Sequence, residues 1–308
     1  MNLRARKAPF ALAGVALLAL GLSACSGTAS GAGSTAAEEG TFAVDSSTLV
    51  FGVVPDSADT QTNYQPLMDY IAAETGLTVQ YKESTDYAAL IEAAVAGKID
   101  VASFSGFTYV TAVKNGAELT PISSIVTKEG QEPGYYSEAI VPAGSSISTL
   151  EEFKGKKVCF VSPTSTSGYL FPSYNLLKAG VNPETDITPV FAGKHDVSVQ
   201  KVGEGVECEV GFAEDSEVAK SDKVTSIEKT MVPGAPIVMS SALPASMQDQ
   251  LVEILSNVTI DQIIAAGIES ADTEGFRSVF YATEPVDDAY YDTIRDICKT
   301  VTTAKQCQ

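Results

Sequence analysis

Short apolar runs alternate with segments of helical periodicity along most of this chain, and that alternation restricts the fold more than any other feature. The runs "TLVFGVVP", "LTVQYKES" and "IDVASFS" are typical of buried strands. Between them, "YQPLMDYIAAETG" and "DYAALIEAAVAG" repeat apolar residues at helical spacing and end at glycine. Strands that alternate with helices predict an α/β fold with a largely parallel sheet.

The same alternation starts again after Gly144 and predicts a second α/β unit. Ser148 and Glu151 have capping-box spacing ahead of the strand "KKVCFVSP". The helix-like "YLFPSYNLLKAG", the strand "DITPVFAG", the short helix "DVSVQKVGEG" and the strand "CEVGFA" follow. Two such lobes, with a C-terminal tail that returns to the first, predict a hinged cleft at the carboxyl ends of the strands.

The N-terminus has the pattern of an export signal. Arg4, Arg6 and Lys7 precede the apolar "APFALAGVALLALG", which is short for a membrane span. The small residues before Cys25 are similar to a bacterial lipobox, so we expect acylation at Cys25; an ordinary cleaved signal is the alternative. Residues 26–47 are rich in Ser, Gly, Thr and Ala and predict a flexible tether.

The charge and the cysteines exclude several classes of partner. A net charge of −19 opposes binding to nucleic acid, so any bound anion must be held by short-range donors. With a single histidine we expect neither a metal site nor a cofactor. In an exported protein the cysteines beyond Cys25 predict disulfides. Doubly wound strand order brings Cys159 beside Cys208 and leaves Cys298 with Cys307, although other pairings remain open.

The segment "SPTSTSG" follows a predicted buried strand and precedes a predicted helix. A helix N-terminus leaves backbone N–H groups unpaired, and hydroxyl donors next to a glycine allow a ligand to approach closely. The cradle would consist of Ser165, Thr166, Ser167 and Gly168 and would suit a tetrahedral oxyanion. The alternative is a hydroxyl-rich cap that serves only its own helix.

Three further candidates lie where strands end. His195 lies between a strand and a helix, and Tyr87 begins the helix after "TVQYKES". Tyr135 lies where the chain would leave the first lobe, and for each residue a packing role is the alternative. The chain lacks the common nucleophile-elbow, P-loop, dinucleotide and zinc-protease motifs. A triad of Ser165, His195 and Asp215 can be drawn, but a serine inside a capping run is not an exposed nucleophile.

Several segments resemble, in order, motifs of the periplasmic phosphonate- and phosphite-binding proteins of ABC importers. They are "FGVVP", "TDYAALIEAAVAGKIDVASF", "PGYYSEAIV", "STSGYLFP" and "FAGKHD". The resemblance implies the two-lobe type II periplasmic-binding-protein fold. It implies that the phosphorus oxyanion is bound by Tyr87, Tyr135, Ser165, Thr166, Ser167 and His195.

The chain departs from the family pattern at two places. Members that bind an aminoalkyl group carry a carboxylate in a P-G-D-P stretch, where this chain has Ala235; Asp215 or Glu214 is a possible substitute. We therefore expect a small oxyanion to bind at least about tenfold more tightly than aminoethylphosphonate. Ser105 to Phe107 replace the usual "FGP" and are expected to line the cleft differently.

The sequence thus predicts a monomeric solute-binding lipoprotein, held outside the cytoplasm by its lipid anchor, that performs no chemistry. Its partners would be a phosphorus oxyanion, such as phosphite or a small phosphonate, and an ABC permease. Residues 48–137 and 234–308 would form lobe 1 and residues 138–233 lobe 2, with a hinge near Ser137 and Thr230–Pro233. The alternatives are a secreted phosphoesterase or other hydrolase, and a sensory ligand-binding lipoprotein.

Overall fold

The computed structural model describes residues 40–302 and 304–308. The predicted signal at 1–25, acylation of Cys25 and the tether over 26–39 lie outside the described residues. The end of the predicted tether contacts the folded body. Thr41 donates its N–H to the Ala242 carbonyl at 2.7 Å, and Ala43 donates to a carboxylate oxygen of Asp100 at 2.8 Å. The tether prediction was therefore too long, because these residues are held by the body.

The described residues contain a mixed set of strands and helices that confirms the α/β prediction. The strands are β1 (Thr48–Val53), β2 (Thr78–Lys82), β3 (Val101–Ser103), β4 (Leu119–Val126), β5 (Gly134–Pro142), β6 (Lys157–Phe160), β7 (Thr188–Phe191), β8 (Val210–Glu214), β9 (Val224–Pro233), β10 (Pro236–Ser240) and β11 (Ala282–Pro285). The helices are α1 (Thr60–Thr75), α2 (Tyr87–Val95), α3 (Gly106–Lys114), α4 (Phe171–Lys178), α5 (His195–Glu204), α6 (Asp215–Val218), α7 (Ala245–Leu255), α8 (Ile260–Ala265), α9 (Glu274–Val279) and α10 (Asp292–Cys298).

The strands form one sheet in the order β2-β1-β3-β10-β4-β5-β8-β6-β7, with β11 on β4 and β9 on β5. At one end β1 is parallel to β2 and β3, and at the other β6 is parallel to β7 and β8. We call β1–β4, β10 and β11 the first sheet half, and β5–β9 the second sheet half. The two parallel groups match the two α/β units expected from the sequence.

The two sheet halves touch along very little of the sheet. Strands β4 and β5 pair at a single position, Val126 with Gly134. The chain returns to the first half through Gly234, where an added Cβ would lie 2.4 Å from the Ser124 hydroxyl. Strand β5 spans the predicted lobe boundary at 137/138, since it pairs with β9 from Gly134 to Pro142. The predicted hinge positions thus lie along the β5–β9 pair, near its end.

The capping box at the start of the second α/β unit differs from the prediction in its residues. The capping box is one residue later than predicted: Thr149, not Ser148, caps a 3₁₀ turn, and its partner is Glu152 rather than Glu151. Glu152 accepts hydrogen bonds from the N–H groups of both Ser148 and Thr149.

The two disulfides join the expected pairs, Cys159 to Cys208 and Cys298 to Cys307. Cys159 and Cys208 are fully buried in an apolar cluster of the second sheet half, together with Val199 and Val202. Among the helices of the described residues, none combines the length and the hydropathy that a membrane-spanning segment requires.

Candidate functional site

A cavity of about 630 Å³ lies between the two sheet halves, at the carboxyl ends of β1, β3 and β8. The first sheet half and its helices contribute Val54, Asp56, Asp59, Tyr64, Tyr87, Ser103, Phe104 and Ser105, among others. The second contributes Tyr135, His195, Glu214, Asp215, Ser216 and Lys220. Parallel strands direct their following loops to one edge, which explains why distant polar residues meet here.

Both predicted tyrosines line this cavity. Tyr87 begins α2, where the Asp86 side chain accepts the Ala89 N–H at 2.8 Å and fixes the start of the helix. Burial, followed by the charges of Asp56 and Glu214, raises the pKa of the Tyr87 phenol well above its usual value. Burial likewise raises the pKa of Tyr135. Both phenols therefore keep their protons and serve as neutral hydrogen-bond donors.

The predicted oxyanion cradle forms a single π-type turn, Thr166–Leu170, that leads into α4. The Ser165 hydroxyl accepts the Gly168 N–H at 3.0 Å and caps the turn. Gly168 has no room for a side chain, because a Cβ would lie 2.4 Å from Val161. The four cradle residues are buried but are not among the residues that line the cavity. The cradle adjoins the tyrosines: Ser165 is a hydrogen-bond partner of the Tyr87 phenol and partly opposes its raised pKa.

The hydroxyl groups of Ser167 and Thr166 connect the cradle to its surroundings. The hydroxyl of Ser167 is fully buried and lies beside the Tyr135 phenol, where it acts as a hydrogen-bond partner that partly opposes the raised pKa of Tyr135. Thr166 instead accepts the N–H of Phe107 at 2.8 Å, and Thr108 donates to the Thr164 carbonyl at 3.0 Å. The cradle is thereby hydrogen-bonded to the start of α3, in the other sheet half.

The cavity holds His195 in one neutral tautomer. The Glu214 N–H donates to Nδ1 at 3.0 Å, so the ring proton resides on Nε2. Burial lowers the pKa of His195 to about 4, against the opposing effect of Asp56. The backbone N–H of His195 donates to the backbone carbonyl of Asp56 at 2.8 Å, and this hydrogen bond links the two sheet halves. At neutral pH the imidazole is therefore an uncharged Nε2–H donor.

Two carboxylates in the cavity stand out, and the sequence analysis missed one of them. Asp56 follows β1, and burial together with the charge of Glu214 raises its pKa to about 7. Burial also raises the pKa of Glu214, at the end of β8, to about 7. In the sequence analysis Glu214 is a candidate only as a substitute for the carboxylate missing at Ala235. The available signal for Asp56 was its position directly after a buried strand, the same signal that identified His195.

Asp215 lines the cavity, as predicted, but its carboxylate already has partners. It accepts the Tyr136 N–H at 3.2 Å and lies 3.7 Å from the Lys128 ammonium. Ala235 also lines the cavity, and Ser105 caps α3 there. The absence of an acid at Ala235 does not leave the cavity without carboxylates. The predicted preference against an aminoalkyl ligand therefore rested on a premise that the structure contradicts.

Within the described residues no group of three or more His, Cys, Asp or Glu side chains is placed to hold a metal ion. The site offers neutral donors from both sheet halves, the phenols of Tyr87 and Tyr135 and the imidazole of His195. It also offers the acceptors Asp56 and Glu214. It has the character of a binding site that encloses a small polar ligand.

A family model described as "ABC transporter, phosphonate, periplasmic substrate-binding protein" matches residues 51–283. The chain belongs to this family. Its members are substrate-binding components of transporters and not enzymes, so the hydrolase alternative is wrong. The fold is the type II periplasmic-binding-protein fold, which confirms that prediction.

One curated protein supports this assignment, and two solved structures share the fold. The chain is 35% identical to the "Phosphate-import protein PhnD" of Mycolicibacterium smegmatis, over an alignment of 338 residues that covers 100% of both chains. A binding protein component of an ABC phosphonate transporter from Pseudomonas aeruginosa has a TM-score of 0.71 and 21% identity, covering 84% of this chain and 88% of that one. PhnD1 from Prochlorococcus marinus, solved in complex with methylphosphonate, has a TM-score of 0.68 and 18% identity, covering 83% and 98%.

Proposed function

We propose that this protein captures a small phosphorus oxyanion, such as phosphite, a phosphonate or phosphate, for an ABC importer. The observation that carries the proposal is the convergence of three neutral donors, Tyr87, Tyr135 and His195, on one cavity from both sheet halves. Neutral donors suit an anion in a chain of net charge −19, because they bind at short range without bulk attraction. The Ser167 hydroxyl adds support, since it is buried in the cradle beside the Tyr135 phenol.

Capture would proceed by closure of two lobes, residues 48–137 with 234–308 and residues 138–233. Hydrogen bonds that join the sheet halves support this motion: Phe107 to Thr166, and His195 to the Asp56 carbonyl. The narrow β4–β5 contact at Gly134 supports a hinge near the end of the β5–β9 pair. Closed lobes would present a joint surface to the permease, with the protein acting as a monomer.

The test is calorimetric titration of the purified mature protein with phosphite, methylphosphonate, aminoethylphosphonate, phosphate and sulfate. We expect at least one phosphorus oxyanion to bind well and sulfate to bind poorly. His195→Ala should weaken that binding, whereas Asp249→Asn, an exposed substitution on α7, should leave it unchanged. Absence of binding to every phosphorus compound would contradict the proposal. Aminoethylphosphonate is included without an expected disadvantage, since Asp56 and Glu214 supply carboxylates that can pair with its ammonium group.

Membrane anchoring through Cys25 is a separate part of the proposal, supported by the lipobox-like sequence before it. Cells that express the full chain should incorporate a radiolabelled fatty acid into it, and Cys25→Ser should abolish the label. Release of the wild-type protein into the medium without label would contradict lipidation. A transport role rather than a sensory one predicts that deletion of the gene abolishes uptake of the radiolabelled ligand.

A further inference from the structure

Asp56 and Glu214 lie on opposite sheet halves and face the same cavity. His195 lies next to both residues. Its backbone N–H donates to the backbone carbonyl of Asp56 at 2.8 Å, and its ring Nε2 lies 3.8 Å from a carboxylate oxygen of Glu214. The charge of Glu214 acts on the Asp56 carboxyl, and both charges act on Tyr87. The two carboxyl groups thus face the same cavity from opposite sheet halves.

Each carboxyl group has spare hydrogen-bonding capacity. One Asp56 oxygen, Oδ1, accepts the Thr60 hydroxyl at 2.6 Å, and the other accepts no hydrogen bond from the described residues. Glu214 Oε1 accepts the Ser216 hydroxyl at 2.8 Å, while Oε2 has only the distant His195 ring. Each group thus keeps one oxygen for the cavity or for a proton.

One nearby cation, Lys220, acts on this pair: its charge opposes the rise of the Glu214 pKa, but less strongly than burial promotes that rise. The titratable and charged groups around it, from every adjoining element, are Asp59, Tyr64, Tyr81, Tyr87, Lys128, Tyr135, Lys194, His195, Asp196, Asp215, Glu217, Lys220, Glu274 and Arg277. The cations among them have other partners. Lys220 pairs with Glu217, Lys128 with Asp215 and Arg277 with Asp272, and Lys194 donates to the Ser57 carbonyl.

An anion in this cavity would therefore meet two carboxylates whose charges Lys220 offsets only in part. Like charges brought together in a desolvated cleft favour the protonated form of at least one acid. Burial acts in the same direction and raises the pKa of each group to about 7. A protonated carboxyl group supplies an O–H donor where a carboxylate would repel the ligand.

We propose that Asp56 and Glu214 are ligand-recognition residues that take up a proton when the cleft closes, so that a carboxyl O–H donates to an oxygen of the bound oxyanion. This inference rests on the proposed function. In the open cleft each acid is hydrated and ionised; on closure one proton, drawn from solvent, binds to the pair. The bound complex then contains the oxyanion, the closed protein and the additional proton.

The sign of the linkage follows from the direction of the shift. An acid whose pKa rises on closure favours the closed form at low pH, and this advantage is lost as the pH rises through its raised pKa. Affinity should therefore fall as the pH rises from about 5 to about 7, by at most about tenfold per pH unit for one proton. Amides at the two positions keep an N–H donor and cannot titrate, so they should remove this component.

The experiment measures phosphite binding by calorimetry in buffers of different ionisation enthalpy, between about pH 5 and about pH 8. It compares the wild type, the double variant Asp56→Asn with Glu214→Gln, and the control Asp249→Asn. The ionisation of free phosphite is common to all three proteins. We expect the wild type and the control to take up more protons than the double variant near pH 6, and the double variant to bind relatively better as the pH rises.

Equal proton uptake in the wild type and the double variant would overturn the inference, and so would a loss of affinity by the same factor at every pH. If the double variant does not fold, the single variants Asp56→Asn and Glu214→Gln are measured in the same way, and each must lose part of the uptake. Failure of the wild type to bind any phosphorus oxyanion would instead refute the proposed function.

Discussion

Substitution of Thr166 by valine tests whether the cradle acts by holding the cleft closed. The Thr166 hydroxyl accepts the Phe107 N–H at 2.8 Å, and both residues are fully buried. That N–H belongs to the first turn of α3, where no carbonyl of the helix is available to it. Valine has nearly the shape of threonine but no acceptor, so in the closed form the N–H is left without a partner.

The expected magnitude follows from the cost of a buried unpaired donor, about 1 to 3 kcal/mol. In an open cleft water pairs with the N–H, so the cost applies only to the closed, ligand-bound form. The Kd should therefore rise by a factor of about 5 to about 150, while the unfolding temperature changes little. Thr166→Ser keeps the oxygen and should bind nearly as well as the wild type.

Titration calorimetry gives the Kd, and small-angle scattering gives the fraction of closed molecules with and without ligand. Thr225→Val, an exposed threonine on β9, is the matched control and should leave both unchanged. The reasoning is refuted if Thr166→Val binds with the wild-type Kd. It is also refuted if Thr166→Ser loses as much affinity as Thr166→Val.

Two further predictions concern stability. Because the pKa of His195 is held at about 4, below its ordinary 6.5, the native state should lose about 2 kcal/mol relative to His195→Gln as the pH falls from about 6.5 to about 4.5; denaturant unfolding at both pH values measures this. The Cys159–Cys208 disulfide has a sequence separation of 49 and the Cys298–Cys307 disulfide one of 9, so alanine replacement of each pair should cost about 4 and about 2.5 kcal/mol respectively. Equal costs for the two pairs in urea unfolding would contradict the chain-entropy argument.

Local pattern was sufficient for most of the fold. The apolar runs of β1 and β6 and the glycine that ends α1 at Gly76 are features of neighbouring residues, and the structure confirms the elements that they predict. The insertion of β10 between β3 and β4 was not predictable in this way. It depends on pairing with strands more than a hundred residues earlier in the chain, which no local period records.

The sequence predicts part of the candidate site, namely the residues whose local pattern marks the end of a strand. Tyr87 and His195 lie at strand-to-helix junctions, where the sequence shows a change of period, and both line the cavity. Asp56 stands in "PDSAD", which on its own has the composition of an exposed loop. Its burial comes from the other sheet half: Lys194 and Asp196 hydrogen-bond to its neighbours Ser57 and Ala58. Such environments exist only after the chain has folded.

The position of β10 also governs the order in which the chain can fold during synthesis, which starts at the N-terminus. Strands β5–β9 are contiguous in sequence, so the second sheet half is complete once Pro233 has appeared. The first half starts earlier but cannot finish, because β3 and β4 await a strand that ends at Ser240. Until then each of them presents an unpaired edge, the kind of surface that promotes aggregation. We therefore expect the part of the chain made first to be the last to become compact.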